Sequence, residues 1–515
     1  MPGRGEATTS ANGLAASTHT SDHTENIVGG KKDSSVESFL KSVYDLAVKE
    51  GWEKAQDRNE LVVKFKSPEE LRKVLNIEVE DCPASHSDLL QDLKDVFTYS
   101  VKTGNPHFFN QLYAGIDPYG FAGQIVTDVL NTSIYTYEVA PVFVLIEQYL
   151  LKQFCEMVGY PDGTGTFPPG GSYCNMLGMN LARFHKFPDI KNKGLFSLPR
   201  MVAFASCGSH YSNKKNATLL GLGLDSLISV NTTSNGKMDP VDLEKRVLEA
   251  QEQGSVPFLV VATAGTTVLG AYDPLNQIAD ICEKYEMWMH VDGAWGGGAL
   301  FSEKHRHLMD GLHRSDSVSL NPHKMLMAPL QCCMFVTKHP NTMKNCHTLH
   351  VPYLFQQDKT LYDASYDVGS KVLQCGRKVD AFKFWLMWKA HGRLGLSDRV
   401  EKAFENSRFL IDILQKTEGF KLVTDPECTN VCFWYLPKIM RDTDWNLRDE
   451  KFCRKLASVA PQIKERMTKK GSMLVGYQPV GNLPNFFRMV VINDKVTRED
   501  MEFVVQEIDL LGSDL

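Results

Sequence analysis

Between about Pro106 and about Gly392, short apolar runs alternate with segments of helical spacing, and this alternation limits the possible folds more than any other feature of the chain. Pro257 to Ala262 reads as a buried strand. Asp273-Pro274 then opens a helix with Leu275, Ile278, Ala279 and Cys282 on one face, at the i, i+3, i+4, i+7 spacing. Met287 to Val291 and Ser317 to Leu320 follow as further strands. Strands regularly interrupted by helices imply an α/β fold with a mainly parallel sheet. The remainder, about 393 to 515, holds strand candidates Val431 to Tyr435 and Phe486 to Ile492. A helix with Met501, Val504, Val505 and Ile508 on one face follows, so a smaller α/β domain is expected there. Val36 to about Asn105 carries helical spacing, as in Phe39, Val43 and Leu46, and reads as an N-terminal helical segment. Residues 1–35 are rich in Ser, Thr, Gly, Ala and Asn and have almost no large apolar side chains; they cannot bury enough surface to offset chain entropy and read as a disordered tail. No fixed-period repeat is visible, which argues against a solenoid.

Composition excludes several classes. With 515 residues the chain can form two or three domains, and its 43% hydrophobic and 23% charged content is that of an ordinary globular protein. A net charge of −6 gives no reason to expect nucleic acid, and Lys304-His305-Arg306-His307 reads as a solvated face. Twelve cysteines include no Cys-x-x-Cys pair, and no charged-then-apolar signal segment precedes them; reduced thiols in the cytoplasm are expected. Cys428 and Cys432 lack a second ligand pair for zinc and read as small packing residues, so no metal is expected. The apolar run Val139 to Leu151 is interrupted by Glu147 and too short to span a bilayer.

The chemistry is carried by four elements. Lys324, in Asn321-Pro322-His323-Lys324, begins the apolar run Met325-Leu326-Met327-Ala328. Burial lowers a lysine pKa and yields the free amine that forms a Schiff base with an aldehyde cofactor. Pro322 keeps His323 and Lys324 out of a continuous helix, so the lysine is expected at a strand-to-loop junction; a snorkelling side chain is the alternative. Asp292, 32 residues upstream, closes the apolar stretch Met287-Trp288-Met289 within His290-Val291-Asp292. A carboxylate ending a buried strand needs a partner, and the protonated ring nitrogen of pyridoxal phosphate is one; capping of the next turn is another. Pro168-Pro169-Gly170-Gly171-Ser172 precedes a helical stretch, Tyr173 to His185, and offers two glycines and a Ser N-cap at a positive helix end, suited to phosphate or to plain punctuation. His210, in Ser209-His210-Tyr211-Ser212, follows the apolar segment Met201 to Ala205 and is placed either to stack on an aromatic ring or to sit as an ordinary histidine.

With these elements in order, the chain resembles the group II pyridoxal phosphate decarboxylases of acidic amino acids, the family of glutamate and cysteine sulfinate decarboxylases. The resemblance runs from about Ser85 to the C-terminus. It includes Phe108-Phe109-Asn110-Gln111-Leu112, Tyr135-Thr136-Tyr137-Glu138, Ala264-Gly265-Thr266-Thr267, Asn321-Pro322-His323-Lys324, Tyr353-Leu354-Phe355-Gln356 and Asn485-Phe486-Phe487-Arg488. Gln111-Leu112-Tyr113-Ala114-Gly115, Gly254-Ser255-Val256-Pro257-Phe258-Leu259-Val260 and Leu354-Phe355-Gln356-Gln357-Asp358-Lys359 are most similar to the cysteine sulfinate and acidic amino acid decarboxylase branch.

The resemblance implies fold type I of the pyridoxal phosphate enzymes (aspartate aminotransferase-like), with a mainly parallel seven-stranded large domain at 106–392 and a small domain at 393–515. It implies that Lys324 holds the cofactor, Asp292 pairs with its ring nitrogen, His210 stacks on one ring face and Ala294 on the other. Thr267 lies near it, Gly171, Ser172 and Asn321 bind its phosphate, and His323 assists proton movements. Arg488 is implied to bind a substrate carboxylate; an internal ion pair is the alternative for a buried arginine after Phe486-Phe487. Tyr353 is implied to donate a proton from a mobile loop running to about Asp367, acting in the other subunit of a homodimer on which the N-terminal segment also packs. Gln111, Leu112 and Tyr113 match the side-chain pocket, where glutamate decarboxylases usually carry a small Ser in place of Tyr113. A bulky ring there favours the shorter cysteine sulfinate or aspartate, giving hypotaurine or β-alanine, over glutamate, giving 4-aminobutanoate. Gly293, where Ala is usual, and Leu320, where Trp is common, depart from the pattern. A transaminase with the same Lys and Asp, and an inactive cofactor-binding homologue, are the rival readings.

Overall fold

The computed structural model describes residues 34–515 except 352, 356–359 and 443–444. Residues 1–33 of the expected tail, and Gln356, Gln357, Asp358 and Lys359 of the expected loop, lie outside the described residues. In chain order the strands are β1 (Phe108–Phe109), β2 (Thr164–Thr166), β3 (Met201–Ser206), β4 (Leu227–Val230), β5 (Val256–Thr263), β6 (Trp288–Gly293), β7 (Ser317–Leu320), β8 (Met334–Thr337), β9 (Phe420–Leu422), β10 (Asn430–Tyr435), β11 (Leu474–Gln478) and β12 (Phe486–Val490).

Seven of them form one sheet in the order β2-β8-β7-β6-β5-β3-β4. Neighbours from β7 to β4 pair in parallel, and β8 alone runs against the others. Helices cover both faces, which is why the central strands read as continuous apolar runs. Val261 packs with Leu177 and Leu181 of the helix Gly171–Lys186. Val260 and Ala262 pack instead with Leu243 and Val247 of Pro240–Glu252 and with Ile278 of Leu275–Lys284. The fold is therefore α/β with a mainly parallel seven-stranded sheet, and the parallel strands aim their carboxyl ends at one edge, where open α/β sheets bind ligands.

A second sheet, in the order β1-β11-β12-β10-β9, is antiparallel except for the β1–β11 pair. It is backed by the helices Glu450–Lys470 and Arg498–Gly512, whose Ile463, Met467, Met501, Val504 and Ile508 share its core. The segment that begins at residue 106 thus gives its first strand to the smaller sheet, through Phe108 opposite Leu474 and Phe109 opposite Val475. A two-residue strand leaves no periodic trace in a sequence. The helix Asp380–Lys416 joins the two parts and bends at Gly392, whose φ of 64° and ψ of 178° suit a residue without Cβ.

The N-terminal segment forms helices at Ser34–Leu46, Pro68–Val74 and His86–Tyr99. The first begins two residues inside the expected tail. Val139 to Leu151 falls largely in the helix Pro141–Val158, where both carboxylate oxygens of buried Glu147 accept from Arg377 Nη2 at 2.9 Å. Among the described residues no helix is long and apolar enough to cross a membrane, and no cluster of potential metal ligands occurs.

Candidate active site

A cavity of about 250 Å³ opens at the carboxyl ends of β5, β6 and β7. Gly171, Ser172, His210, Thr267, Asp292, Ala294, Asn321, His323 and Lys324 all line it, so residues spread over more than 150 positions of sequence meet on one wall. Sequence reasoning missed Asn175, Thr263 and Gln331 on the same wall. Asn175 was within reach of it, since it lies one helical turn beyond Gly171 and therefore on the same face.

Lys324 lies in the turn after β7, and its backbone N–H donates to the Asn321 carbonyl at 2.9 Å. Its ammonium has no hydrogen-bond partner among the described residues, and Met325 and Leu326 beside it are buried. Desolvation pushes its pKa down, against the pull of the Asp292 carboxylate. That environment favours a free amine. Asp292 is the penultimate residue of β6 and only 5% exposed. Its Oδ1 accepts the Ala294 N–H at 3.1 Å, a turn cap, while Oδ2 accepts from Asn175 Nδ2 at 2.7 Å. An ionised carboxylate has about four acceptor sites, so capping does not exhaust it.

His210 turns its Nδ1 to Ser212, 2.7 Å from Oγ and 3.3 Å from the backbone N–H. Burial lowers its pKa, with Asp292 opposing. His323 places Nδ1 2.7 Å from the Cys332 carbonyl oxygen and 3.1 Å from the Cys332 backbone N–H; the closer oxygen can only accept, which assigns the proton to Nδ1. The helix at the phosphate-type turn starts two residues earlier than a Ser172 cap requires: Gly170, at φ 110°, is the N-cap and Ser172 lies inside the first turn without a capping bond. Only glycine reaches that φ freely, so the chain turns there. The backbone N–H groups of Gly171 and Ser172 find no acceptor among the described residues. A Cβ on Gly171 would lie 2.8 Å from Asn321 Nδ2, and Asn321 Oδ1 is buried without a partner.

Arg488 is half-buried on β12 and donates from Nη1 to the Thr267 carbonyl and from Nη2 to the Asn110 carbonyl, both at 3.0 Å. Its Nε is buried and unpartnered, and no carboxylate pairs with it among the described residues. Burial lowers its pKa. The internal ion pair considered from sequence is therefore not what holds it. Gln111, Leu112 and Tyr113 are not on the cavity wall: Gln111 is exposed, Leu112 is packed into the large core, and the Tyr113 ring stands 6.3 Å from that of Phe108. Tyr353 is 80% exposed and does not line its own chain's cavity.

Residues 68–436 match the pyridoxal-dependent decarboxylase conserved domain. The chain belongs to the pyridoxal-dependent decarboxylase family. It is 53% identical over 480 residues to the acidic amino acid decarboxylase GADL1 of Bos taurus, covering 93% of this chain and 91% of that one. It is 50% identical over 481 residues to the cysteine sulfinic acid decarboxylase of Mus musculus, covering 93% and 97%. The crystal structure of mouse CSAD superposes with a TM-score of 0.91 at 48% identity, over 94% of this chain and all of that one. The protein is thus a carboxy-lyase of fold type I with pyridoxal phosphate as cofactor.

The residues present fit that cofactor. An unpartnered amine at Lys324, spare acceptor sites on Asp292, unused N–H groups at Gly171 and Ser172 and the orphaned Asn321 side chain supply complements to its aldehyde, its ring nitrogen and its phosphate end.

Proposed function

We propose that this decarboxylase removes the α-carboxylate of a short acidic amino acid, cysteine sulfinate to hypotaurine, aspartate to β-alanine, or both. The observation that carries the reading is Arg488: a half-buried guanidinium with no carboxylate partner among the described residues, tied to the Thr267 loop that lines the Lys324 cavity. Five N–H donors, of which two go to carbonyls, leave it able to bind an anionic substrate.

When bound, pyridoxal phosphate supplies an electron sink for the pair left by the departing carbon dioxide. Lys324 would hold the cofactor between turnovers, and Asp292 would keep its ring nitrogen protonated. His210, Ala294 and Thr267 would flank its ring, and Gly171, Ser172 and Asn321 would hold its phosphate. His323, its Nδ1–H committed to Cys332, is left with Nε2 to move protons near Lys324. Gln111, Leu112 and Tyr113 lie off the Lys324 cavity wall but follow Asn110, whose carbonyl receives Arg488, and would act on the substrate end from that side, the Tyr113 ring shortening it.

We infer a homodimer in which Tyr353 returns the proton to the α-carbon in the neighbouring subunit's site. Its exposure supports this, as do the exposed Val142, Leu145 and Tyr149 along one face of Pro141–Val158 and Val36, Leu40 and Tyr44 along Ser34–Leu46. Twelve free cysteines, none in a disulfide, support a cytoplasmic location.

The test is carbon dioxide release from cysteine sulfinate, aspartate and glutamate by the purified holoenzyme, together with borohydride reduction and peptide mapping. The two shorter substrates are expected to react with the higher kcat/KM, and the label to fall on Lys324. Preference for glutamate would overturn the substrate assignment, and a label on another lysine would overturn the site.

A further inference from the structure

Behind the cavity wall, a line of buried polar groups runs from β6 and β7 to two of the residues that face it. Trp288 Nε1 donates to Ser317 Oγ at 2.9 Å, and that hydroxyl lies 2.9 Å from His290 Nδ1. His290 Nε2 lies 3.1 Å from Asn175 Oδ1. Asn175 Nδ2 then reaches Asp292 Oδ2 at 2.7 Å and Ser212 Oγ at 3.2 Å, and Ser212 Oγ lies 2.7 Å from His210 Nδ1. His290, Ser317 and Asn175 are all at most 1% exposed, so water does not substitute for any of these partners.

The chemistry of the donors fixes every proton in the line. An ionised carboxylate only accepts, so Asn175 must turn its NH₂ to Asp292 and its carbonyl oxygen to His290. His290 must then carry its proton on Nε2. Burial pushes the His290 pKa down to about 4, so the ring is neutral and its Nδ1 accepts from Ser317. Asn175's second N–H occupies Ser212 Oγ, whose own proton goes to His210 Nδ1. That nitrogen also takes the Ser212 backbone N–H, so the neutral His210 carries its proton on Nε2. The helix makes room for the arrangement: a Cβ on Gly178, one turn beyond Asn175, would stand 2.7 Å from the His290 ring.

We propose that Asn175 is a positioning residue whose amide, oriented by His290, fixes both the carboxylate of Asp292 and the tautomer of His210. One side chain thereby sets two of the groups that meet the cofactor ring, so ring pairing and ring stacking stay in register. The proposal rests on the cofactor reading given above and adds residues that the sequence did not single out.

The experiment titrates pyridoxal phosphate into apo-protein and follows the dissociation constant and the induced circular dichroism of the visible band, which reports ring orientation. Loss of a buried hydrogen bond to a charged group is expected to raise Kd about tenfold or more in Asn175→Leu and in His290→Leu, with the same altered dichroism. His290→Gln, whose amide N–H can reach Asn175 Oδ1 from the place of Nε2, is expected to return both readouts to within about threefold of the parent. The double variant is expected to be no worse than Asn175→Leu alone, because His290 acts through Asn175. Unchanged Kd and dichroism in Asn175→Leu, or a His290→Gln protein as impaired as His290→Leu, would overturn the proposal. Should a Leu variant fail to fold, Ser317→Ala removes only one hydroxyl from the line; a Kd raised about threefold supports the proposal and an unchanged Kd overturns it. A parent protein that bound no pyridoxal phosphate would instead overturn the cofactor reading, before any variant is compared.

Discussion

Tyr113 shows how far a residue can be read without its surroundings. Its bulk suggests a shortened substrate pocket, yet the ring is half-buried against Phe108, in the segment whose Asn110 carbonyl receives Arg488. It therefore stands near the cation expected to hold the substrate rather than on the Lys324 cavity. Replacing Tyr113 with Ser is expected to shift the ratio of kcat/KM values toward glutamate by about tenfold, the worth of one methylene-sized contact. Measuring the three acidic substrates side by side checks this; an equal loss on all three would make the residue a packing element of the Phe108 segment. Lys324 and Asp292 were legible because each puts a charge at the end of an apolar run, a conflict that sequence displays. Arg488 was legible as a buried cation, but its two carbonyl partners were not, since backbone acceptors have no residue identity. Asn175 carries no such conflict and stayed silent.

At the scale of elements, the strands around the site were readable because both of their faces are buried, while the two-residue β1 and the reversed direction of β8 left no pattern to read. The helix Gly171–Lys186 offers a test that separates folding from binding. Alanine is a better helix former than glycine by about 0.5–1 kcal/mol, which offsets part of the crowding a Cβ brings here, so Gly171→Ala is expected to lower apo-protein stability by no more than about 1 kcal/mol. Its Cβ would nonetheless crowd Asn321 Nδ2 at 2.8 Å and Ala294 Cβ at 3.3 Å. If the crowding is relieved by moving Asn321 away from the turn, cofactor binding is expected to weaken roughly tenfold, measured by titration alongside Tm. A second element-level device ties the N-terminal segment to the helix Arg498–Gly512. Asp500 accepts Arg58 Nε at 2.9 Å and lies 3.1 Å from His107 Nε2. Burial pushes its carboxyl up, but His107, Arg58 and the Thr497 N–H outweigh that and hold it well below the usual range. A depressed folded-state pKa gives stability that is present above the unfolded value, about 3.9, and lost as pH falls below it. Limited proteolysis is expected to release the N-terminal segment progressively as pH falls from about 4 toward the much lower folded-state value, and Asp500→Asn is expected to release it at neutral pH with little further change on acidification. A pH-independent release in the parent would show that the tie is not electrostatic.

At the scale of the whole molecule, the described chain holds a cavity with a lysine, an aspartate and a phosphate-type turn, but the tyrosine expected to donate the proton faces outward. A group proposed as catalytic but displayed away from its own cavity is the arrangement expected of a site shared between two copies, which the residues of one chain imply only through the family resemblance. Subunit complementation decides between the two arrangements. Lys324→Ala cannot hold the cofactor covalently, and Tyr353→Phe lacks the donor, so each homodimer is expected to form little amine product. In a mixed population half the dimers are heterodimers, and in each of these one site combines the intact Lys324 of one subunit with the intact Tyr353 of the other. Co-expression in equal amounts is therefore expected to restore roughly a quarter of parental amine formation, as two-fold symmetry requires for a site built from both copies. If Tyr353 served the cavity of its own chain, no dimer in the mixture would contain a complete site, and amine formation would stay at the level of the separate variants.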